Sequence, residues 1–366
     1  MEEMLECTCP LCQEGKYKGE DYYVDMSFLK KERPVGVSGL LRVKNDAEFL
    51  SDCIESCIDA LDELVICYQD CTDNAPEIIR EKQRKYPDKI NVFYYAPPVF
   101  CHGLTEEAKK NAFSLPDSSI HKLCNYYNYT LSKSTYRYAM KIDSDQIYFT
   151  DKLKRYCDAY RADNKVTFSL GDYFGKYYEK IYRRIMVKYT FLSSFDLFSR
   201  IPAIRDFVFR KYENYIIKEV INNKYAVSMS GINLGYKQGE WHICRLGKLI
   251  YNGTVDHLIF GITEDTFYIT SVGRKNPIEV MRYNKPILFG GWFWYHLQGM
   301  RTNSYQNIKE WIVLTSKLTW NTVSADWNYF QKGIWLFCGQ YEKNLPIPAL
   351  LLKETARNIS KRNNSY

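Results

Sequence analysis

Tyr138-Ala139-Met140-Lys141-Ile142-Asp143-Ser144-Asp145 decides the reading of this 366-residue chain. A short, mostly apolar run of strand length stops at two carboxylates one residue apart. Three units with the same grammar precede it. Gly36-Val37-Ser38-Gly39-Leu40-Leu41 reads as a buried strand, and Phe49, Leu50, Cys53, Ile54, Cys57, Ile58 and Leu61 then recur at helical spacing. Leu64-Val65-Ile66-Cys67-Tyr68 reads as a second strand, followed by a polar loop at 69–74 and a helix with Pro76 in its first turn. Asn91-Val92-Phe93-Tyr94-Tyr95 is a third, followed by a long loop and a helix over 119–133. Strands alternating with helices predict an α/β fold, a mainly parallel sheet flanked by helices. Such sheets bind ligands at the carboxyl ends of their strands. Both acidic loops, Asp70 to Asp73 and Asp143 to Asp145, fall at such ends.

Outward from this core the pattern loosens. Residues 1–35 read as an N-terminal extension, 36–170 as a nucleotide-binding α/β half, 171–300 as an acceptor half and 301–366 as a C-terminal helical region. Within the acceptor half, about 173–225 reads as a helical insertion. Lys176, Lys180, Arg183, Arg184 and Lys188 alternate there with Tyr177, Ile181, Tyr182, Ile185 and Met186. That mixture suits an interfacial helix on an anionic membrane surface, and an ordinary packed helix equally. No apolar run reaches the roughly 18 residues of a membrane span. A formal charge of +7, with no RNA or DNA motif beside it, gives no reason to expect nucleic acid. The acidic start Met1-Glu2-Glu3-Met4 lacks a secretory pattern, so the 12 Cys are expected as free thiols in the cytoplasm. Cys7-Thr8-Cys9-Pro10-Leu11-Cys12 is the one dense thiol cluster. Three thiolates at this spacing can hold zinc, but no fourth ligand is evident in the sequence, and the cluster reads as plain thiols.

Asp143 and Asp145 can face one divalent ion, with Ser144 between them. Mg²⁺ and Mn²⁺ favour hard oxygen ligands and bridge readily to phosphate oxygens. Arg42-Val43-Lys44-Asn45-Asp46 puts cationic and amide groups at the mouth of the sheet, where a nucleotide would lie. Asp70 is placed to accept the imide N–H of a uracil, whereas Asp73 and Asn74 read as well as helix caps.

Leu41-Arg42-Val43-Lys44-Asn45-Asp46, Tyr68-Gln69-Asp70-Cys71-Thr72-Asp73, Lys122-Leu123-Cys124-Asn125-Tyr126-Tyr127-Asn128-Tyr129 and Lys141-Ile142-Asp143-Ser144-Asp145-Gln146-Ile147-Tyr148 occur in that order. The set resembles the bacterial β-1,4-N-acetylgalactosaminyltransferase family that builds ganglioside-mimicking lipooligosaccharide. More broadly, it is similar to inverting glycosyltransferases of the GT-A fold. The likeness covers roughly residues 38–160, with a weaker echo at Tyr295-His296 and Arg301. It implies a UDP-sugar donor, a glycan or lipid-linked glycan acceptor and a Mn²⁺ or Mg²⁺ cofactor. By position, Arg42, Asn45 and Asp70 would line the nucleoside pocket, and Lys122 and Asn125 would sit near base, ribose or phosphate. Asp143, Ser144 and Asp145 would hold donor and metal, His296 would complete the metal shell, and Arg301 would touch the donor. Trp292, Phe293 and Trp294 could stack on sugar or be core. The resembled enzymes have a shorter segment at 173–225, which leaves the acceptor open.

Inverting transfer needs a base for the acceptor hydroxyl. Asp256 is the first candidate, because a similar stretch occurs in the resembled family. Asp172, after a strand read at 166–170, is the second and Asp265 the third. Two rivals stand beside this reading. A sugar nucleotidyltransferase would carry a Gly-rich loop after the first strand, and residues 42–46 contain no glycine. A non-catalytic glycan-binding or scaffold protein on the same fold would not need the carboxylate pair. The expected location is cytoplasmic, with peripheral attachment to the inner face of the membrane as an option.

Overall fold

The structure is a computed structural model and describes residues 10–101, 104–177, 202–237, 240–246, 251–252, 257–271, 276–301 and 308–313. The chain divides into two compact units. The first comprises Met1–Ile54, Leu61–Ser144 and Ile259–Pro286, and the second Glu55–Ala60, Asp145–Leu258 and Ile287–Tyr366.

In the first unit, β1 (Val37–Val43), β2 (Glu63–Tyr68), β3 (Ile90–Tyr94) and β4 (Tyr138–Ile142) are the four expected strands. All pair in parallel, in the order β3-β2-β1-β4, and Leu40, Leu41, Leu64, Val65, Ile66, Met140 and Ile142 are fully buried. The α/β class with a parallel sheet flanked by helices is therefore borne out. β9 (Leu258–Gly261) adds to β4 antiparallel. Gly39 gives its buried neighbours room. A Cβ there would lie 2.6 Å from Leu61 Cδ1 and 2.8 Å from Ile142 Cδ1.

The helices follow the sequence with shifts. After the single turn α1 (Pro10–Gln13), α2 (Ala47–Cys57) and α3 (Ala75–Lys85) are where periodicity placed them, with Pro76 in the first turn of α3. The long loop after β3 contains α4 (Glu106–Ser114), capped by Thr105 Oγ1, which accepts from Ala108 N at 3.2 Å. The helix expected over 119–133 is α5 (Leu123–Ser132), and its start is late because Lys122 N bonds Ser119 O in a turn. Cys124 to Leu131 are all buried, since α5 packs on β1 and β2 and also on the hairpin of β10 (Phe267–Thr270) and β11 (Glu279–Arg282). Its polar residues must then find partners. Asn128 Nδ2 donates to Tyr268 O at 2.9 Å, and its Oδ1 accepts from Tyr268 N at 2.8 Å. Tyr22, from the N-terminal stretch, packs on Tyr95 and Tyr129 with ring centroids 5.1 and 5.8 Å away.

In the second unit, β5 (Gln146–Tyr148) pairs antiparallel with β12 (Ile287–His296), which runs parallel to β6 (Ala226–Lys237). β7 (Glu240–Leu246) and β8 (Tyr251–Asn252) pair antiparallel with β6. β13 (Ile308–Val313) pairs with β7, which corrects the C-terminal helical expectation for that stretch. Ile308, Trp311, Ile312 and Val313 are β-branched or aromatic, and an edge was available to them. Residues 314–366 lie outside the described residues. The strand read at 166–170 is also corrected: 165–169 is irregular and 170–177 is helical. The run is too short to hold a ladder, and Asn222 takes up both Val166 N and Val166 O at 2.8 Å. Helix α6 (Thr150–Arg161) packs on α7 (Pro202–Asn223). Most of the basic aromatic run, residues 178–201, lies outside the described residues. Among the described residues no helix is long and apolar enough to cross a membrane, and all nine cysteines are free.

Lys152 is buried in α6. Its Nζ donates to Gly290 O at 2.8 Å and lies 4.6 Å from the Phe293 ring centroid. Burial pushes its pKa down to about 8 from 10.5, with Glu213 opposing the shift. Between those two values the unfolded chain holds the proton that the folded chain has released, so stability rises with pH across that window. Below it the burial penalty is fully present. We expect stability to rise by on the order of 2 kcal/mol between pH 8 and 10.5 relative to Lys152→Met. Urea denaturation at several pH values tests this, and parallel curves for the two proteins would refute it.

Candidate active site

The boundary between the units falls between Ser144 and Asp145, so the candidate residues form two groups. In the first unit Asp143 ends β4, and Arg42 reaches it from β1. Arg42 Nη2 lies 3.5 Å from Asp143 Oδ1 and 3.3 Å from Ile142 O. The guanidinium lies 3.6 Å from the Tyr127 ring centroid, a cation–π contact within a buried environment. Arg42 is therefore fixed, and Asp143, about a third exposed, presents its charge beside it. Lys141 Nζ meets Glu279 Oε1 at 3.0 Å, and Tyr268 packs edge-on against Tyr127 at 4.8 Å. Lys141, Tyr127, Tyr268 and Glu279 belong to this cluster and were not singled out from the sequence. Only Lys141, an ionisable residue inside an apolar strand, gave a hint.

Asn45 has a left-handed backbone, φ 57°, which asparagine tolerates well. Its Oδ1 accepts from Thr72 N at 2.7 Å and so ties the β1 loop to the β2 loop. Asp70 is exposed at the end of β2. Asp73 takes the structural role: it accepts from Ala75 N at 3.1 Å and from Ala47 N at 2.9 Å, serving the starts of α3 and α2. Lys122 Nζ is 3.2 Å from Asp117 Oδ1, which also accepts from Thr270 Oγ1 at 2.6 Å. Asn125 is buried and donates to Tyr22 O at 3.2 Å and Tyr95 Oη at 3.1 Å. These two hold the frame behind the strand ends.

In the second unit Asp145 begins the turn into β5 and is buried, as is Ser144 in the first. Arg301 follows a short 3₁₀ turn (Gln298–Met300) and places Nε and Nη2 each 3.1 Å from Asp145 Oδ2. His296 closes β12, with Nε2 3.6 Å from Asp145 Oδ1 and Nδ1 2.8 Å from Asn233 Oδ1. An amide oxygen only accepts, so Nδ1 carries the proton and Nε2 is the nitrogen that faces Asp145. Metal-binding histidines are oriented in this way, by a hydrogen bond from the ring nitrogen that does not meet the metal. Asn233 is a further residue sequence reading missed. The three elements converge because β12 pairs with both β5 and β6, with His296 opposite Gln146 and Asn233. Leu297 N also bonds Asp145 O at 2.8 Å.

A carboxylate oxygen and a neutral imidazole fit a divalent cation of the Mn²⁺ or Mg²⁺ kind. Among the described residues no group of three or more His, Cys, Asp and Glu is gathered for a metal. Such cations are commonly held by one or two carboxylates together with substrate phosphates, so a smaller protein set suffices. Arg301 balances the Asp145 carboxylate and is one-third exposed.

Of the candidate bases, Asp256 lies outside the described residues. Asp172 is buried. Its Oδ2 accepts from Lys218 Nζ at 2.6 Å, Ser169 N at 2.7 Å and Ser169 Oγ at 2.8 Å. Burial raises its pKa, but the bonds from Lys218 and Ser169 and the Lys218 charge outweigh it and hold the carboxyl below the usual range. Asp265 accepts from Asn284 Nδ2 at 2.5 Å. Trp292, Phe293 and Trp294 are fully buried core residues.

Comparison with known proteins bears out the resemblance read from the sequence. Residues 11–182, a little under half the chain, match the beta-1,4-N-acetylgalactosaminyltransferase (CgtA) family. No curated protein matches the chain. Among solved structures, glucosyl-3-phosphoglycerate synthase from Mycobacterium tuberculosis with Mn²⁺, UDP and glucosyl-3-phosphoglycerate aligns at 16% identity, with a TM-score of 0.21. That alignment covers 33% of this chain and 37% of the other. The same enzyme with Mg²⁺ and UDP aligns at 17% identity over 33% and 37%, with a TM-score of 0.20. This chain therefore spans little more than a third of the length of the solved structures it matches.

Proposed function

From the family match over residues 11–182, we propose that the protein is a metal-dependent inverting glycosyltransferase. Its donor is a UDP-sugar of the N-acetylgalactosamine, galactose or glucose type. Its acceptor is a glycan of bacterial surface polysaccharide or lipooligosaccharide. The observation that carries this reading is Asp145, buried at the start of β5 with His296 on one carboxylate oxygen and Arg301 on the other. When bound, Mn²⁺ or Mg²⁺ supplies positive charge to the departing diphosphate.

The chain's own residues divide the remaining work. Asp145 and His296 hold the cation, and Asp143, two residues away in sequence, serves the cation or the ribose. Arg42, immobilised over Tyr127, fixes Asp143. Asp70 accepts the uracil imide proton. Arg301, paired here with Asp145 Oδ2, would offer its guanidinium to the donor phosphates. Calorimetry with Mn²⁺ present tests the reading: UDP should bind at least tenfold more tightly than GDP or CMP, about 1.4 kcal/mol. Tighter binding of GDP or CMP would remove Asp70 from its role and uridine from the donor.

Asp256 is proposed as the base that deprotonates the acceptor hydroxyl. Asp256→Asn should keep UDP-sugar affinity and lose transfer by about 10²–10⁴-fold, since only proton removal is impaired. Transfer that survives in this variant and disappears in Asp172→Asn would move the role to Asp172.

A further inference from the structure

The amino end of the parallel sheet, opposite the strand ends that carry Asp143, holds an open cavity of about 540 Å³. It is lined by Lys31, Glu32, Arg33, Pro34, Arg137 and Ile262, from the segments that lead into β1 and β4 and the one that leaves β9. We propose that Lys31, Arg33 and Arg137 form a binding site for a phosphate group other than those of the nucleotide-sugar donor.

Three observations carry this. The first is charge. Three cations line the cavity against one carboxylate, Glu32, which forms an ion pair with none of them among the described residues. The second is burial. Arg33 is only 9% exposed, yet among the described residues no carboxylate pairs with it. Its guanidinium donates to Phe28 O at 2.8 Å and to Lys31 O at 3.0 Å, which leaves further N–H groups for a ligand. Burial pulls its pKa down, and the Glu63 charge opposes that shift only in part. A buried cation normally has a counter-charge, and an anion in the cavity supplies one. The third is rigidity. Arg33 is tied by those two bonds to the 3₁₀ turn Met26–Lys30 and the residue after it. Arg137 N bonds Pro34 O at 2.9 Å, its carbonyl accepts from Ile262 N at 3.0 Å, and its Nη2 donates to Arg33 O at 3.3 Å. Both arginines are thus held on fixed backbone. Two guanidinium groups and an ammonium offer more donors than a carboxylate can take up, and they suit the larger set of oxygens on a phosphate.

Arg137 immediately precedes β4 and Asp143 immediately follows it. At about 3.3 Å per residue the strand sets the cavity about 20 Å from Asp143, so a donor diphosphate held there does not reach it. The phosphate is then either free in solution or the phosphomonoester of a lipid headgroup. The test uses the full chain and inorganic phosphate, in chelator and at fixed ionic strength. Calorimetry should show saturable binding. Lys31 and Arg137 are exposed, so their replacement leaves the fold intact. Arg137→Gln and Lys31→Gln should each weaken phosphate binding at least about tenfold, while UDP binding in Mn²⁺ stays at the parental level. Phosphate should also raise the thermal midpoint of the parent and not that of Arg137→Gln. Sedimentation with phosphatidylcholine vesicles, with and without phosphatidic acid, separates the sources. Binding that requires phosphatidic acid and is lost in Arg137→Gln assigns the site to a headgroup, and phosphate binding without vesicle binding assigns it to a soluble phosphate. No saturable phosphate binding by the parent, or equal affinity in the parent and both variants, overturns the proposal.

Discussion

Asp145→Asn is expected to lower kcat/KM for metal-dependent sugar transfer by about 10³-fold, roughly 4 kcal/mol of transition-state stabilisation. The amide keeps the side-chain shape and leaves the backbone carbonyl that accepts from Leu297 N at 2.8 Å. What it removes is the charge set between His296 and Arg301. Because a cation held by one or two carboxylates leans heavily on each, the loss should appear as a raised Mn²⁺ requirement as well as slower turnover. Initial rates across a Mn²⁺ titration, with circular dichroism as the folding control, separate this from instability. Parental turnover at low Mn²⁺ would remove Asp145 from the site.

Glu63→Ala should cost about 2–3 kcal/mol of stability, a sizeable share of what a domain of ordinary stability has. Glu63 is buried at the amino end of β2. Its Oε1 accepts from Ser38 Oγ and Thr135 N, both at 2.6 Å, and its Oε2 from Thr135 Oγ1 at 2.9 Å and Asn91 Nδ2 at 3.1 Å. One carboxylate thus joins β1, β2, β3 and the turn before β4. Removing it strands the buried Ser38 hydroxyl, which costs more than the net worth of that bond, while Asn91 and Thr135 are exposed and can turn to water. Glu63→Gln should lose less, because one acceptor oxygen remains. Chemical denaturation at neutral pH reads both, and a loss below about 1 kcal/mol in the alanine variant would show that the donors find other partners.

These two residues mark what sequence reading can reach. Asp145 was legible because an apolar strand ran straight into it, and chain order alone put it at a sheet's ligand-binding end. β1 to β4 were legible for the same reason, being short apolar runs between helical periods. Glu63 was not. It begins a strand as an ordinary charged residue, and its partners lie 25, 28 and 72 positions away. Asn233 was hidden likewise, defined by a side chain far along the chain. β13 was misread because Trp311, Leu314 and Leu318 stand at helical spacing and outweighed the β-branched Ile308, Ile312 and Val313. The edge of β7 decided the outcome, and an edge is not written in the segment that joins it.

The clamp of Asn128 on the β10–β11 hairpin has a consequence for how this chain tolerates change. Asn128 grips the peptide group on both sides of Tyr268 and ignores the ring. The grip is blind to which residue occupies position 268, so what constrains that side chain is not the attachment but the packing of its ring on Tyr127. Position 128 has no such freedom. An aspartate there could accept from the Tyr268 N–H but could not donate to its carbonyl, and a leucine could do neither. One rigid amide in the scaffold thus fixes where the hairpin's backbone sits, and leaves its side chains to meet Tyr127 and Lys141.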